Sequence, residues 1–357
     1  MVKIKNVSHV VVYKDPSRAC NQVSVTKLQN GEILAAFNEE RGMFHADDGW
    51  ASLIRSKDGG KTWDPTTKTT ILGCTESVSN WDPAITQLSD GTLIVALCQR
   101  HHAPFRMGFG YNWIGTFVLK SSDNGHTWTD PIIVNVQPMK HGGTRTAALE
   151  LPNGSLLLGV YGRLTQFGEY GGYEARRAYL VRSDNGGAHW SFGSTLAYDP
   201  AGIIYYQEPA FLRLDNGTIV CMIRAEKLPD WSHDALYVTF SDDDGASWSR
   251  PKRTNIWGYP PHLIKLNDGR ILCTYGYRRD EGGNKGCISK DGYTWDVSQQ
   301  FTINTGGHVP AAKGVRERWH MGYPSTVQME DDTILTLYHQ YDETPLQYVA
   351  GTRYKLE

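Results

Sequence analysis

One short pattern recurs six times along the 357-residue chain and constrains its fold more than any single residue does. The copies are KLQNGEILAAF, QLSDGTLIVAL, ELPNGSLLLGV, RLDNGTIVCMI, KLNDGRILCTY and QMEDDTILTLY, with turn residues Gly31, Gly91, Gly154, Gly217, Gly269 and Asp332. Each reads as a β run, an Asn/Asp-Gly turn that tolerates positive φ, and a second β run. A second pattern follows the first in five units: SKDGGKTW, SSDNGHTW, RSDNGGAHW, SDDDGASW and SKDGYTW. Its Ser and Asp side chains can bond nearby backbone N–H groups, and its Trp can pack the turn down. The third copy reads with one residue extra before its Trp, and the fifth with one fewer after its Asp. A unit of about sixty residues holding two hairpins is one four-stranded sheet, which cannot bury both faces alone. Six units stacked radially give an all-β, six-bladed β-propeller of four-stranded antiparallel blades. The expectation is one domain over residues 1–357. The first β run, HVVVYK, and the last, QYVAGTRYKL, are expected to share a blade and close the ring.

In a propeller the innermost strand of each blade lines the central channel. Counting back nine residues from each turn gives Gln22, Asp82, Arg145, Glu208, Pro260 and Tyr323. Proline follows at four of these positions (Pro83, Pro209, Pro261, Pro324), which suggests a shared strand start. Seven to ten residues after the turns stand Arg41, Arg100, Arg163, Arg224, Arg278 and His339, where the second strand returns to the same mouth. Arginines, two acids and a tyrosine recurring at one structural position point to a site for an anionic or highly hydroxylated ligand. Asp82, Arg145 and Arg163 are candidate ligand contacts on this count.

With these repeats and motifs the chain resembles the sialidase (neuraminidase) superfamily over essentially its whole length. FNEERGMFHADDGWASLIRSKDGGKTW (37–63) is similar to the family's Arg, loop Asp and first aspartate box. The resemblance implies Arg41 as a substrate-binding arginine and Asp47 as the acid/base, with Asp48 as its rival. YYQEPAFLRLDNGTIVCMIR (205–224) resembles the unit that presents a Glu and an Arg, which implies Glu208 as the base beside a nucleophilic Tyr and Arg224 as a binding arginine. GYPSTVQMEDDTILTLYHQ (322–340) resembles the strand carrying that nucleophile, Tyr323. Arg278, or Arg279 beside it, would be a further arm of the arginine cluster.

The implied chemistry is coherent. A carboxylate on the anomeric carbon repels a carboxylate nucleophile, whereas a neutral Tyr activated by Glu avoids that repulsion. Asp47 would protonate the leaving oxygen and then activate water. The chain also departs from the family. Asn21-Gln22-Val23 stands where the resemblance implies Arg-Ile-Pro, and His339 stands where it implies the Glu that holds that Arg. One bidentate contact fewer costs a bound carboxylate about 1.5–3 kcal/mol. Three readings stay open: a sialidase-type exo-glycosidase; a glycosidase or polysaccharide lyase on a uronic or sulfated sugar; a sugar-binding propeller without catalysis.

Other classes are disfavoured. With 36 basic and 38 acidic residues there is no basic surplus for nucleic acid. No apolar run approaches the roughly 18 residues of a membrane span. The partner expected is therefore a carbohydrate. The six cysteines form no CxxC pair and read as buried free thiols; no metal site and no cofactor are expected. The N-terminus lacks the apolar core of a signal peptide, so a cytoplasmic chain is expected, or an exported one if a leader was removed.

Overall fold

A computed structural model describes residues 2–41, 48–102, 111–139, 141–163, 176–227, 234–279, 281–307, 321–343 and 346–357. Six antiparallel sheets form a six-bladed β-propeller. Blade one comprises Ala19–Lys27, Ile33–Glu40, Trp50–Ser56 and Thr69–Leu72. Blade two comprises Val78–Gln87, Leu93–His102, Tyr111–Ser121 and Ile132–Ile133, and blade four Ile204–Arg213, Ile219–Lys227, Ala235–Ser241 and Lys252–Arg253. Blade five comprises Pro261–Lys265, Ile271–Gly276, Asn284–Ser289 and Gln300–Asn304. Blade three departs from four strands: its inner strand is broken into His141–Gly143 and Leu149–Glu150, with Arg145 in the gap. In blade six, Gly322–Gln328, Ile334–Tyr341 and Gln347–Leu356 are joined by the N-terminal strand Ile4–Tyr13. That strand pairs antiparallel with Gln347–Leu356, so the two ends of the chain close the ring as expected.

Packing follows from the repeat. Among the described residues, six apolar clusters each straddle one junction between neighbouring blades. Each second strand is close to continuously apolar, as in Ile33–Phe37 and Leu93–Cys98, because both of its faces lie against another blade. The hairpin turns have the backbone the sequence called for. Gly31, Gly91, Gly154, Gly217 and Gly269 take φ between +83° and +92°, and Asp332 takes +65°.

The aspartate boxes are turns tied by their own side chains. Asp123 accepts from the backbone N–H of His126 and Thr127 and from the Thr127 hydroxyl, while Ser121 accepts from the Gly125 N–H. The third box has no extra residue: Asn185 holds the aspartate position, bonded by Ser183 and the His189 N–H, and Trp190 follows in register. Five cysteines are buried, Cys74 is half-buried, and all six are free thiols.

Candidate active site

Four of the six ring residues share an unusual backbone. Gln22, Asp82, Glu208 and Tyr323 have φ of 52°, 55°, 49° and 52°. Each sits where the inner strand carries one residue more than its partner, between Asn21 and Ser24, Trp81 and Ala84, Gln207 and Ala210, and Gly322 and Ser325. These are β-bulges, which re-aim a side chain and interrupt pairing. The prolines after them therefore do not mark strand starts. Pro83, Pro209 and Pro324 lie inside the strand at the bulge, where a missing N–H costs no ladder bond; only Pro261 begins a strand. A left-handed non-glycine residue costs on the order of 1–3 kcal/mol and persists only where the surroundings enforce it. Four such residues around one axis mark a built site.

Two of them meet across the channel. The Tyr323 hydroxyl donates to Glu208 Oε1 at 3.0 Å, and Arg224 Nη1 donates to Glu208 Oε2 at 2.7 Å. Tyr323 and Glu208 are both buried, at 6% and 5% exposure. Burial, followed by the Glu208 carboxylate, pushes the Tyr323 hydroxyl up to about 12, so it stays protonated at neutral pH. Asp82 lies in the same field. Burial, against the pull of Arg100 and Arg145 and with the push of Glu208, raises its carboxyl to about 6. Its Oδ1 is buried without a hydrogen-bond partner among the described residues.

The arginines divide by what they hold. Arg224 is engaged on two carboxylates, Glu208 and Glu226, and its guanidinium lies 4.0 Å from the Tyr259 ring centre. Arg145 donates to the main-chain oxygens of Val23 (2.7 Å) and Tyr323 (3.3 Å) and lies over the Tyr323 ring. Arg278 donates from Nε to the Met321 oxygen at 3.0 Å, with its guanidinium 5.2 Å from the ring centres of both Tyr323 and Tyr259. Its Nη2 is buried and has no partner among the described residues, which leaves a donor for a ligand anion. Arg279 lies instead against Trp257. Arg163 lies 5.8 Å from the Tyr205 ring centre.

Arg41 stands at the mouth with a largely exposed side chain, 74%, and pairs with Asp48 at 2.8 Å. Asp48 also pairs with Arg18 and accepts the Arg41 backbone N–H, so it holds these two arginines together. Asp47 lies outside the described residues.

Some members of the site were not singled out from sequence. Glu226 shares a strand face with Arg224, two residues away, a spacing that could have revealed it. Tyr259, between Arg224 and Arg278, had no such signal. His339 stands where the resemblance implies a Glu that holds an Arg, and both are absent here. Its Nδ1 instead accepts the backbone N–H of Gln22 at 3.0 Å, and its ring stacks on Tyr323 at 5.3 Å. Glu208 also lines a cavity of about 60 Å³ together with Arg145, His262 and Ser325.

Solved structures share this architecture. A protein of unknown function from Dyadobacter fermentans superposes with a TM-score of 0.84 at 24% identity, over 100% of this chain and 99% of that one. The NanB sialidase from Streptococcus pneumoniae gives 0.69 at 11%, over 97% of this chain and 70% of that one. An α-L-arabinanase from Penicillium chrysogenum gives 0.66 at 15%, over 97% of both. At these identities the likeness is one of fold, a propeller that glycosidases of different specificity use. The model of the BNR repeat-like domain matches residues 73–337, most of the chain: the protein belongs to the BNR repeat-like domain family, with the sialidase-like propeller as its fold.

Proposed function

We propose that the protein is an exo-acting glycoside hydrolase that removes a terminal anionic sugar from a glycan with retention of configuration. The observation that carries this reading is the buried hydrogen bond from Tyr323 to Glu208, made between two bulged residues of different blades. A hydroxyl raised to about 12 is a poor nucleophile by itself and needs an adjacent base. Glu208 stands at bonding distance to take that proton as the Tyr323 oxygen attacks the anomeric carbon. Asp47 donates a proton to the departing oxygen. Water, deprotonated by Asp47, then displaces the sugar from Tyr323, and Glu208 returns the proton. Arg224 orients Glu208, and Arg278 offers its Nη2–H to the substrate anion.

A second reading rests on Gln22. This ring position carries a neutral carboxamide, and of the three guanidinium groups near Tyr323, Arg145 and Arg224 are engaged on protein oxygens, which argues against a three-armed clamp on a ligand. A uronic or sulfated sugar, with its anion held by Arg278, fits this set better than an anomeric carboxylate does.

The test is aryl release from a fluorogenic sialoside and a fluorogenic glucuronide by the wild type and by Tyr323→Phe, Glu208→Gln and Asp47→Asn. Turnover of either substrate, falling at least about 100-fold in Tyr323→Phe and Glu208→Gln, supports the mechanism. The substrate that turns over chooses between the two readings. Release of an unsaturated sugar would instead identify a lyase. Binding without turnover would leave a sugar-binding propeller.

A further inference from the structure

The second strands repeat a feature that bears on the nucleophile. Seven residues after the turn, the blades carry Asn38, Cys98, Tyr161, Arg224, Gly276 and His339. Three of these accept a backbone N–H from the next blade, two from its inner strand and one from the gap in blade three's. Asn38 Oδ1 accepts from Asp82 at 2.8 Å, Cys98 Sγ from Thr144 at 3.0 Å, and His339 Nδ1 from Gln22 at 3.0 Å. In two of the three the donor is a bulged, left-handed residue of the ring, whose N–H the bulge has removed from the ladder. A buried N–H without a partner is costly, so the acceptor stabilises the bulge itself.

His339 does more than Asn38 or Cys98. It is fully buried, lies opposite Gly322 in the ladder, and stacks its ring on Tyr323 with 27° between planes. A nitrogen that accepts carries no proton, so the ring proton of the neutral imidazole resides on Nε2. One side chain thus touches both ring residues at the junction of blades six and one. Arg145 reinforces the same junction, bonding the main-chain oxygens of Val23 and Tyr323.

We infer that His339 is a positioning residue for Tyr323: its Nδ1 anchors the Gln22 bulge, and its ring, fixed by that bond, sets the plane of the attacking phenol. The assignment of a reaction to Tyr323 rests on the glycosidase reading above; the anchoring of Gln22 does not. A displacement of about 1 Å at a nucleophile can cost on the order of 100-fold in rate. His339 therefore acts on kcat through another residue and leaves substrate affinity alone.

Two variants separate acceptor from bulk. His339→Asn keeps an acceptor where Asn38 shows that one suffices, and His339→Phe keeps the ring without the acceptor. The measurements are kcat and KM on whichever fluorogenic glycoside the wild type cleaves, and hydrogen exchange of the Gln22 amide. In His339→Phe, kcat is expected to fall about 10–100-fold with KM within about threefold, and Gln22 to lose protection. In His339→Asn, protection is expected to persist and kcat to stay within about tenfold of wild type. Wild-type kcat in His339→Phe, or equal losses in both variants, would overturn the inference. Should the wild type cleave neither glycoside, the hydrolase reading fails and the exchange decides alone: protection lost only in His339→Phe supports the anchor, and unchanged protection in both variants removes it.

Discussion

Asp82 and Tyr323 show how burial sets chemistry one residue at a time. Asp82 combines a strained backbone, an oxygen without a partner among the described residues and a carboxyl raised to about 6 chiefly by burial. Its folded value lies above that of an unfolded aspartate, near 4. Folded protein therefore holds the proton longer than unfolded chain does, and stability falls as pH rises from about 4 to about 6. Asp82→Asn cannot ionise. Its stability relative to wild type should rise across that window by about 2–3 kcal/mol and then level off, measured by denaturant unfolding at a series of pH values. A flat difference would show that Asp82 ionises normally. Tyr323 remains neutral through the same range, consistent with its need for Glu208 as a proton acceptor.

At the scale of the element, the bulge and the aspartate box divide the work. Boxes hold the outer turns, and bulges aim the inner residues. Asp58 is held down to about 2; burial opposes this, but bonds from Thr62, Ser56 and Lys61 outweigh it. Asp243 is held to about 2 by bonds from Ser247 and Ser241. Depressed values have the opposite sign to Asp82: their contribution is present above about pH 4 and is lost as pH falls toward 2. Both carboxylates are largely solvated, so the effect of each is small. Asp123→Ala removes the acceptor for two backbone N–H groups and should destabilise by about 1 kcal/mol at pH 7. The deficit should shrink below pH 4, as thermal unfolding would show.

For the whole molecule, closure of the ring is the central energetic fact. Each apolar cluster joins two blades, so a blade without both neighbours leaves a buried face wet. Ile4–Tyr13 closes blade six against Gln347–Leu356, and Val12 belongs to the cluster shared with blade one. Deleting residues 2–13 should lower the melting temperature by well over about 5 °C and expose an unpaired strand edge that promotes association. Calorimetry and light scattering would test this. An unchanged melting temperature would mean that the other inter-blade clusters hold the ring without that strand.

The blade count, the hairpin turns, the shared terminal blade and the equivalence of four ring positions, Gln22, Asp82, Glu208 and Tyr323, were legible in the sequence. Each follows from local chemistry repeated at a fixed period: turn residues that accept positive φ, apolar runs, and a constant offset from turn to channel. The backbone of the ring was not legible. Nothing in Asn-Gln-Val, Trp-Asp-Pro, Gln-Glu-Pro or Gly-Tyr-Pro prescribes a left-handed residue; the surrounding blades impose it. Nor did sequence divide the arginines by task. It grouped Arg41, Arg145, Arg163, Arg224 and Arg278 as ligand contacts. In the folded molecule Arg145 is spent on main-chain oxygens, Arg224 on carboxylates and Arg41 on Asp48, and Arg278 keeps an Nη2–H without a partner among the described residues. A guanidinium is satisfied by whichever acceptors the fold brings near it: those of Arg145 lie 122 and 178 residues away on two other blades, whereas Arg224 and Arg41 meet carboxylates within 16 residues. Local pattern therefore determined the scaffold and much of what stands at its mouth, and only tertiary contact decided which acceptors each of those groups meets.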